Sequence, residues 1–250
     1  MHSIEHLSGQ LRSLRLNSLS QAAGNLIAQA EENELSYLQF AQQLFDHELQ
    51  SRNHRRIEIN QRKAGFPVEK QLEEFDYRAQ SSISKRQVNQ LLDFSFIDEC
   101  DNLIFIGPPG VGKTHLAIGI GQKAIRAGYK VMFTTALGLV ETLEMAEIKG
   151  ELKKRLNQIS KYDLVIIDEL GYLPMSKQSN HNLFQLINTL YEYRSIILTT
   201  NKEFTQWGEF FIDENVAVPI VDRLIHHSKI YMLGGESYRL RQKNSVGLTH

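Results

Sequence analysis

Cysteine is almost absent from this 250-residue chain: Cys100 is the only one. No intrachain disulfide can form and no cysteine cluster can hold a metal, so Cys100 reads as an inert buried thiol. Long hydrophobic runs are missing too. No stretch approaches the roughly 18 apolar residues of a membrane span, and Met1 to Asn25 alternate polar and apolar side chains without the continuous core of a secretion signal. The expectation is a cytoplasmic protein with no membrane association. Neither charge sign is in surplus: 28 Lys+Arg against 29 Asp+Glu give a formal net charge of −1. With no global electrostatic footprint for nucleic acid, any DNA contact must come from a local basic patch. Repeats and low-complexity tracts are lacking, and the nine histidines show no spacing that reads as a metal site. Hydrophobic content of 42% and charged content of 23% are those of a globular protein.

What is present is sharply patterned. Leu103-Ile-Phe-Ile106 is an apolar run that opens into Gly107-Pro108-Pro109-Gly110-Val111-Gly112-Lys113-Thr114, followed by a helical stretch that begins with His115. This is the G-x-x-x-x-G-K-[ST] phosphate-binding pattern, here in its strand–loop–helix context. The glycines let backbone N–H groups curl around phosphates without Cβ clashes, and the helix start adds its positive dipole end. Lys113 would reach the β and γ phosphates, and the Thr114 hydroxyl would hold Mg²⁺. The ligand class implied is ATP or another nucleoside triphosphate with Mg²⁺.

Strands are expected at 103–106, 130–135, 163–167, 195–200 and 229–233, separated by helical stretches. Short apolar runs in that alternation indicate an α/β domain with a five-stranded parallel sheet buried on both faces. The helix after the phosphate loop should stop at Ala127, with Gly128 as its C-terminal cap. Residues 1–64 are read as a separate, all-helical N-terminal domain and 65–250 as the main domain. Leu7, Leu11 and Leu14 share one helical period, and Ala22, Ala23, Leu26, Ile27 and Ala30 another. Ser36 and Gln39 form a capping-box pair opening a helix whose apolar positions are Leu38, Ala41, Leu44, Phe45 and Leu49. Two readings of this module stand: partner docking, or a helical lid.

The second half of the site lies in Leu164-Val-Ile-Ile-Asp168-Glu169, a buried strand ending in two acids. Asp168 would join the Mg²⁺ shell and Glu169 would orient or deprotonate the attacking water. Asn201, closing Ile196-Ile-Leu-Thr-Thr-Asn201, is placed to hydrogen-bond the γ-phosphate. Between the second and third strands, 136–161 is longer than one crossover helix needs and should be two helices broken near Gly150. Its second half gathers Lys149, Lys153, Lys154, Arg155 and Lys161 against Glu151, a patch suited to DNA phosphates or simply a solvated helix face. Trp207, amid Phe204, Phe210 and Phe211, reads as a core anchor rather than a base-stacking residue.

In order along the chain, these motifs resemble the AAA+ ATPases, and within them the replication-initiator and helicase-loader branch. The similarity is greatest to the IstB-like helper ATPases of bacterial insertion sequences. Gly65-Phe66-Pro67, Leu72-Glu73-Glu74-Phe75-Asp76, Asp168-Glu169-Leu170-Gly171-Tyr172 and Gly235-Glu236-Ser237-Tyr238-Arg239 carry that likeness. The resemblance implies an ATP hydrolase that assembles as a homo-oligomer, ring or spiral, on double-stranded DNA and recruits or stimulates the transposase of its element. The alternative is a helicase loader with the same core. It also implies that Asp222-Arg223-Leu224 carries an arginine finger completing an adjacent subunit's site. Few residues follow the fifth strand, so no separate C-terminal lid is expected, and Arg239 receives no role.

Overall fold

The computed structural model describes residues 3–172, 176–211 and 214–238. The chain divides into two compact units, Met1–Ile59 and Asn60–His250, the division falling near the end of a long helix.

The first unit holds α1 (Ile4–Ser13), α2 (Asn17–Glu32) and most of α3 (Tyr37–Ala64). The Ser36–Gln39 capping box forms: Gln39 N–H donates to Ser36 Oγ at 3.4 Å, and Ser36 N–H donates to Gln39 Oε1 at 2.9 Å. Helix α2 has no side-chain cap of its own. Glu48, reaching across from α3, accepts from Leu19 N–H at 3.0 Å and from Arg52 Nε at 2.8 Å. The carboxylate thus meets an unpaired donor at the positive end of α2. This inward turn of Glu48 decides which side of α3 is buried. Leu38, Phe45 and Leu49 share one stripe about 80° round the helix from Glu48, and they are 70%, 68% and 64% exposed. The apolar positions of α3 therefore do not all face a core, as their period suggests; three of them form an open face.

The second unit begins with a 3₁₀ turn at Leu72–Glu74, α4 (Lys85–Leu91) and α5 (Ser95–Asp98). Then β1 (Asn102–Ile106), α6 (Lys113–Ala127), β2 (Val131–Thr135), α7 (Ala136–Ile148), α8 (Leu152–Ile159) and β3 (Leu164–Leu170) follow. The remaining elements are α9 (Lys177–Leu190), β4 (Ser195–Thr200), α10 (Trp207–Phe210), α11 (Glu214–His226) and β5 (Ser228–Met232). Helix α6 ends at Gly128, whose φ of 111° gives the left-handed cap expected there. The break between α7 and α8 is at Gly150, with φ of 67°.

All strand pairs are parallel, in the order β2-β3-β4-β1-β5. The central strands β3, β4 and β1 are covered on both faces, alternate residues serving different layers, whereas edge strand β5 has no buried residue. Ile104, Ile106, Val165, Ile167, Ile196 and Leu198 join α7, α9 and α11 in one core. On the other face α6 lies close to the sheet: a Cβ on Gly121 would come within 2.6 Å of Ile166, and one on Gly119 within 2.6 Å of Leu72. Trp207 is fully buried beside Phe204 and Phe210, as its aromatic company suggests. Cys100 departs from expectation: it is half-buried rather than enclosed, at a turn with φ of 60°.

The strand order places β4 between β1, which feeds the phosphate loop, and β3, which carries the acids. That insertion sets β1 and β3 two strand spacings apart, about 10 Å. It also brings the end of β4 into the same crevice, at the carboxyl ends of the strands where ligands bind in open α/β sheets.

Candidate functional site

A cavity of about 520 Å³ opens over the loop between β1 and α6. Pro109, Gly110, Val111, Gly112, Lys113, Thr114 and His115 line it, with Glu169, Thr199, Thr200 and Asn201 from the neighbouring strand ends. Gly107 and Pro108 lie just behind, and their carbonyls accept from Lys113 Nζ at 2.7 and 2.9 Å. The lysine therefore closes the loop on itself. The loop glycines are required by more than their own torsions. A Cβ would meet Leu233 O at 2.0 Å from Gly107, Ser237 Oγ at 2.2 Å from Gly110 and the Phe75 ring at 2.6 Å from Gly112. The loop is clasped on one side by the segment before β1 and on the other by the segment after β5.

Three bonds of that clasp appear only in the folded chain. Gln80, 5% exposed, donates through Nε2 to Val111 O at 3.1 Å and to Gly234 O at 3.0 Å. Tyr238 N–H donates to Gly110 O at 3.0 Å. His115, expected in the nucleotide-binding set as part of the helix after the loop, lines the cavity, bonds through Nε2 to Gln71 O at 2.7 Å and stands edge-on to Phe75. Only the fold brings these distant positions to the loop.

On β3, Thr114 Oγ1 donates to the Asp168 carboxylate, at 2.9 Å to Oδ1 and 3.1 Å to Oδ2. Thr199 Oγ1, from fully buried β4, donates to the same Oδ1 at 2.5 Å and accepts from Glu169 N–H at 2.9 Å. The strand does not stop before the acids as expected; it runs on to Leu170 through a register shift between Ile167 and Leu170. Glu169 takes up the extra length with φ of 62°, a left-handed conformation that costs a non-glycine residue about 1 kcal/mol. The result is that Asp168 is buried while its neighbour Glu169 is exposed to the cavity. Thr199 organises both acids, and nothing in its local sequence sets it apart from Thr200.

A hydroxyl and a buried carboxylate side by side are hard oxygen ligands of the kind Mg²⁺ accepts alongside water and phosphate oxygens. The donor set fits that ion. Among the described residues no group of three or more His, Cys, Asp and Glu is placed to hold a metal ion. Asn201 is exposed at the rim, one residue past β4.

The other expected site residues lie elsewhere. Arg223, on α11, does not line the cavity. Its Nη1 donates to Pro219 O at 3.0 Å, its guanidinium lies 5.3 Å from the Phe184 ring centre and 5.7 Å from that of Tyr191, and its Nε is buried without an acceptor. Arg239 is outside the described residues. The basic patch divides. Lys149, Lys153 and Lys154 are exposed, and Lys154 pairs with Glu151 at 2.8 Å, a bond that holds the Glu151 carboxyl below its usual range. Arg155 turns away from them toward β2 and bonds Gln158 through Nη1 at 3.3 Å.

The sheet order, the glycine loop and the acids at the end of β3 define a P-loop NTPase fold of the AAA+ class. Solved structures agree on the fold. A replication initiator DnaA bound to AMPPCP and single-stranded DNA superposes with a TM-score of 0.55 at 20% identity over 70% of this chain and 54% of that one. DnaI gives 0.55 at 16% identity over 66% and 90%. Within that class the chain belongs to the family of IstB-like ATP binding proteins, whose model matches residues 9–246. It is 41% identical over 248 residues to an ATP-binding protein of insertion sequence IS21 from Pseudomonas aeruginosa, covering 99% of this chain and 92% of that protein. It is 43% identical over 230 residues to one of insertion sequence IS5376 from Geobacillus stearothermophilus, covering 92% of each. No helix among the described residues is long and apolar enough to cross a membrane.

Proposed function

We propose that this protein is the ATP-hydrolysing helper of an insertion sequence. It would assemble on double-stranded DNA as a homo-oligomer and recruit or stimulate the element's transposase. The observation that carries this is the bond from Thr114, at the start of α6, to Asp168 on β3, beside a cavity that Thr114, Glu169 and Asn201 line together, in a chain of this family. ATP with Mg²⁺, when bound, supplies the phosphoryl group and neutralises its charge.

The chain's own residues divide the remaining work. Backbone N–H groups of Gly110 to Thr114 and the start of α6 face the phosphates. Lys113 adds a positive charge where the loop closes. Thr114 and Asp168 would hold the metal, with Thr199 keeping the Asp168 carboxylate turned toward it. Glu169, solvent-exposed and lifted out of the strand by its left-handed backbone, would orient the attacking water and take its proton. Asn201 would hydrogen-bond the same water or the terminal phosphate. Arg223 would act on the site of an adjacent copy, where a guanidinium stabilises transition-state charge; its absence from the chain's own cavity supports that reading.

DNA contact is assigned to Lys149, Lys153, Lys154 and Arg155. The open stripe of Leu38, Phe45 and Leu49 on α3 supports partner docking for the N-terminal helices. The insertion-sequence relatives favour a transposase over a helicase as that partner.

The test is ATP turnover and ATP affinity of Glu169→Gln and Lys113→Ala, with and without double-stranded DNA. Glu169→Gln should bind ATP normally and lose hydrolysis by about a hundredfold or more, the scale of general-base removal. Lys113→Ala should lose binding. Undiminished turnover in Glu169→Gln would overturn the hydrolytic assignment. Capture by purified replicative helicase but not by the transposase, abolished in a Leu38/Phe45/Leu49→Ser variant, would reverse the choice of partner.

A further inference from the structure

A second concavity of about 510 Å³ lies at the outer edge of the sheet and shares no residue with the nucleotide cavity. Its floor is β2, the edge strand, through Val131, Met132 and Phe133. The end of α3 contributes Asn60 and Lys63, α8 contributes Arg155 and Gln158, and the turn into β3 contributes Lys161 and Tyr162; Lys130 precedes β2. These residues sit at the start of β2. The opposite end of that strand, Thr135, pairs with Asp168 beside the nucleotide site. Four residue rises of about 3.3 Å separate the two ends.

Its charge is one-sided. Lys63, Lys130, Arg155 and Lys161 line it, and no Asp or Glu does. Among the described residues none of the four takes part in an ion pair, in contrast to Lys154 on the outer face of α8. Arg155 Nε is buried with no acceptor. In a chain with net charge −1, four cations gathered in one hollow repel each other, and an anionic ligand relieves the repulsion. The remaining polar groups, two amides and the Tyr162 phenol, can donate as well. A hollow of donors and cations with room for a phosphate and its sugar fits a phosphodiester better than a flat helix face does.

We infer that this concavity is the principal backbone-phosphate site for DNA, with the strand running along the β2 edge, and that Lys153 and Lys154 sit at its periphery. The inference rests on the DNA-binding reading above and relocates its centre from the exposed face of α8 to a built hollow.

The test uses the full chain with ATP and Mg²⁺, and a fluorescein-labelled 40-base-pair duplex titrated by anisotropy at several salt concentrations. Two variants are compared, Lys63→Gln/Lys130→Gln/Lys161→Gln and Lys149→Gln/Lys153→Gln/Lys154→Gln. Arg155 is left in place because it packs beside buried Ile159. The hollow variant should weaken DNA binding tenfold or more near 200 mM salt and reduce the log–log salt slope by roughly two to three, about 0.9 for each phosphate that is no longer neutralised. ATP affinity should not change, since the two cavities share no residue. Weakening confined to the outer-face variant would overturn the hollow while leaving DNA binding intact. No DNA affinity in any form, wild type included, would remove both. A hollow variant that keeps DNA affinity but releases a labelled poly-glutamate peptide would assign the site to an acidic protein segment and overturn the inference.

Discussion

Thr199→Val isolates what holds the two acids in place. Valine matches threonine in shape, so the fully buried site keeps its packing and loses only the hydroxyl. Two bonds go with it: the 2.5 Å donation to Asp168 Oδ1 and the acceptance from Glu169 N–H at 2.9 Å. A hydrogen bond to a charged group contributes about 1.5–3 kcal/mol. The second bond matters less, because neither partner is charged and it is only part-buried. The sum is about 2–3 kcal/mol, which for a unit of this size lowers Tm by roughly 5–10 °C. Trp207, the only tryptophan and fully buried in the same unit, reports the transition by fluorescence. Lower stability alone would spare turnover well below Tm. A positioning role would not: kcat should fall by about tenfold or more while KM for ATP changes little, because the loop that holds the phosphates is untouched. Thr199→Ser, which keeps the hydroxyl, should restore kcat even if Tm stays low. A valine variant with wild-type turnover at 25 °C would refute the reasoning, whatever its stability.

Other consequences are equally direct. Gly112→Ala places a Cβ 2.6 Å from the Phe75 ring at a φ of 99°, whereas Gly235→Ala has open space at a φ of 103°. The second should cost about 1–2 kcal/mol, and the first clearly more, together with weaker ATP affinity; denaturant titration and nucleotide binding separate them, and equal costs would contradict the clasp. Mixing Arg223→Ala with Lys113→Ala should regain part of the turnover that each lacks alone, since one copy supplies the arginine and the other an intact loop; an inactive mixture would count against action between copies. Burial pushes the Cys100 thiol up from its ordinary value, with Arg194 opposing, so less thiolate is present near pH 8 than in free cysteine. Its reaction with a disulfide reagent should be slower than that of a model thiol and should quicken as pH rises through the higher pKa. A rate equal to the model thiol at pH 8 would contradict that environment.

Much of the molecule is legible in the sequence, for reasons that differ between elements. The strands β1, β3 and β4 announce themselves because strands covered on both faces need continuous apolar runs. The phosphate loop is legible because its conformation can be adopted only with glycine at fixed places. Ser36–Gln39 is legible because a cap spans only four residues. Thr199 cannot be found this way. It looks like Thr200, and only the parallel pairing of β3 with β4 and the register shift beside Glu169 decide which hydroxyl meets Asp168. The loop contacts of Gln80, Ser237 and Tyr238 are hidden likewise, since Gln80 reaches Val111 from 31 residues upstream and the other two reach Gly110 from beyond the last strand.

What the sequence determined by itself is therefore local: which segments are strands and helices, where the loop sits, and which acids are available. Those properties follow from periodicity, torsional freedom and short-range capping, all readable within a few residues. The tertiary structure alone decided how these pieces meet. It turned Glu48 inward and left Leu38, Phe45 and Leu49 open. It directed Arg155 to a basic hollow away from Lys153 and Lys154, and kept Arg223 out of the chain's own cavity. The physical reason is common to all of these: the energy of a buried charge or hydrogen bond depends on partners that the chain brings near only by folding.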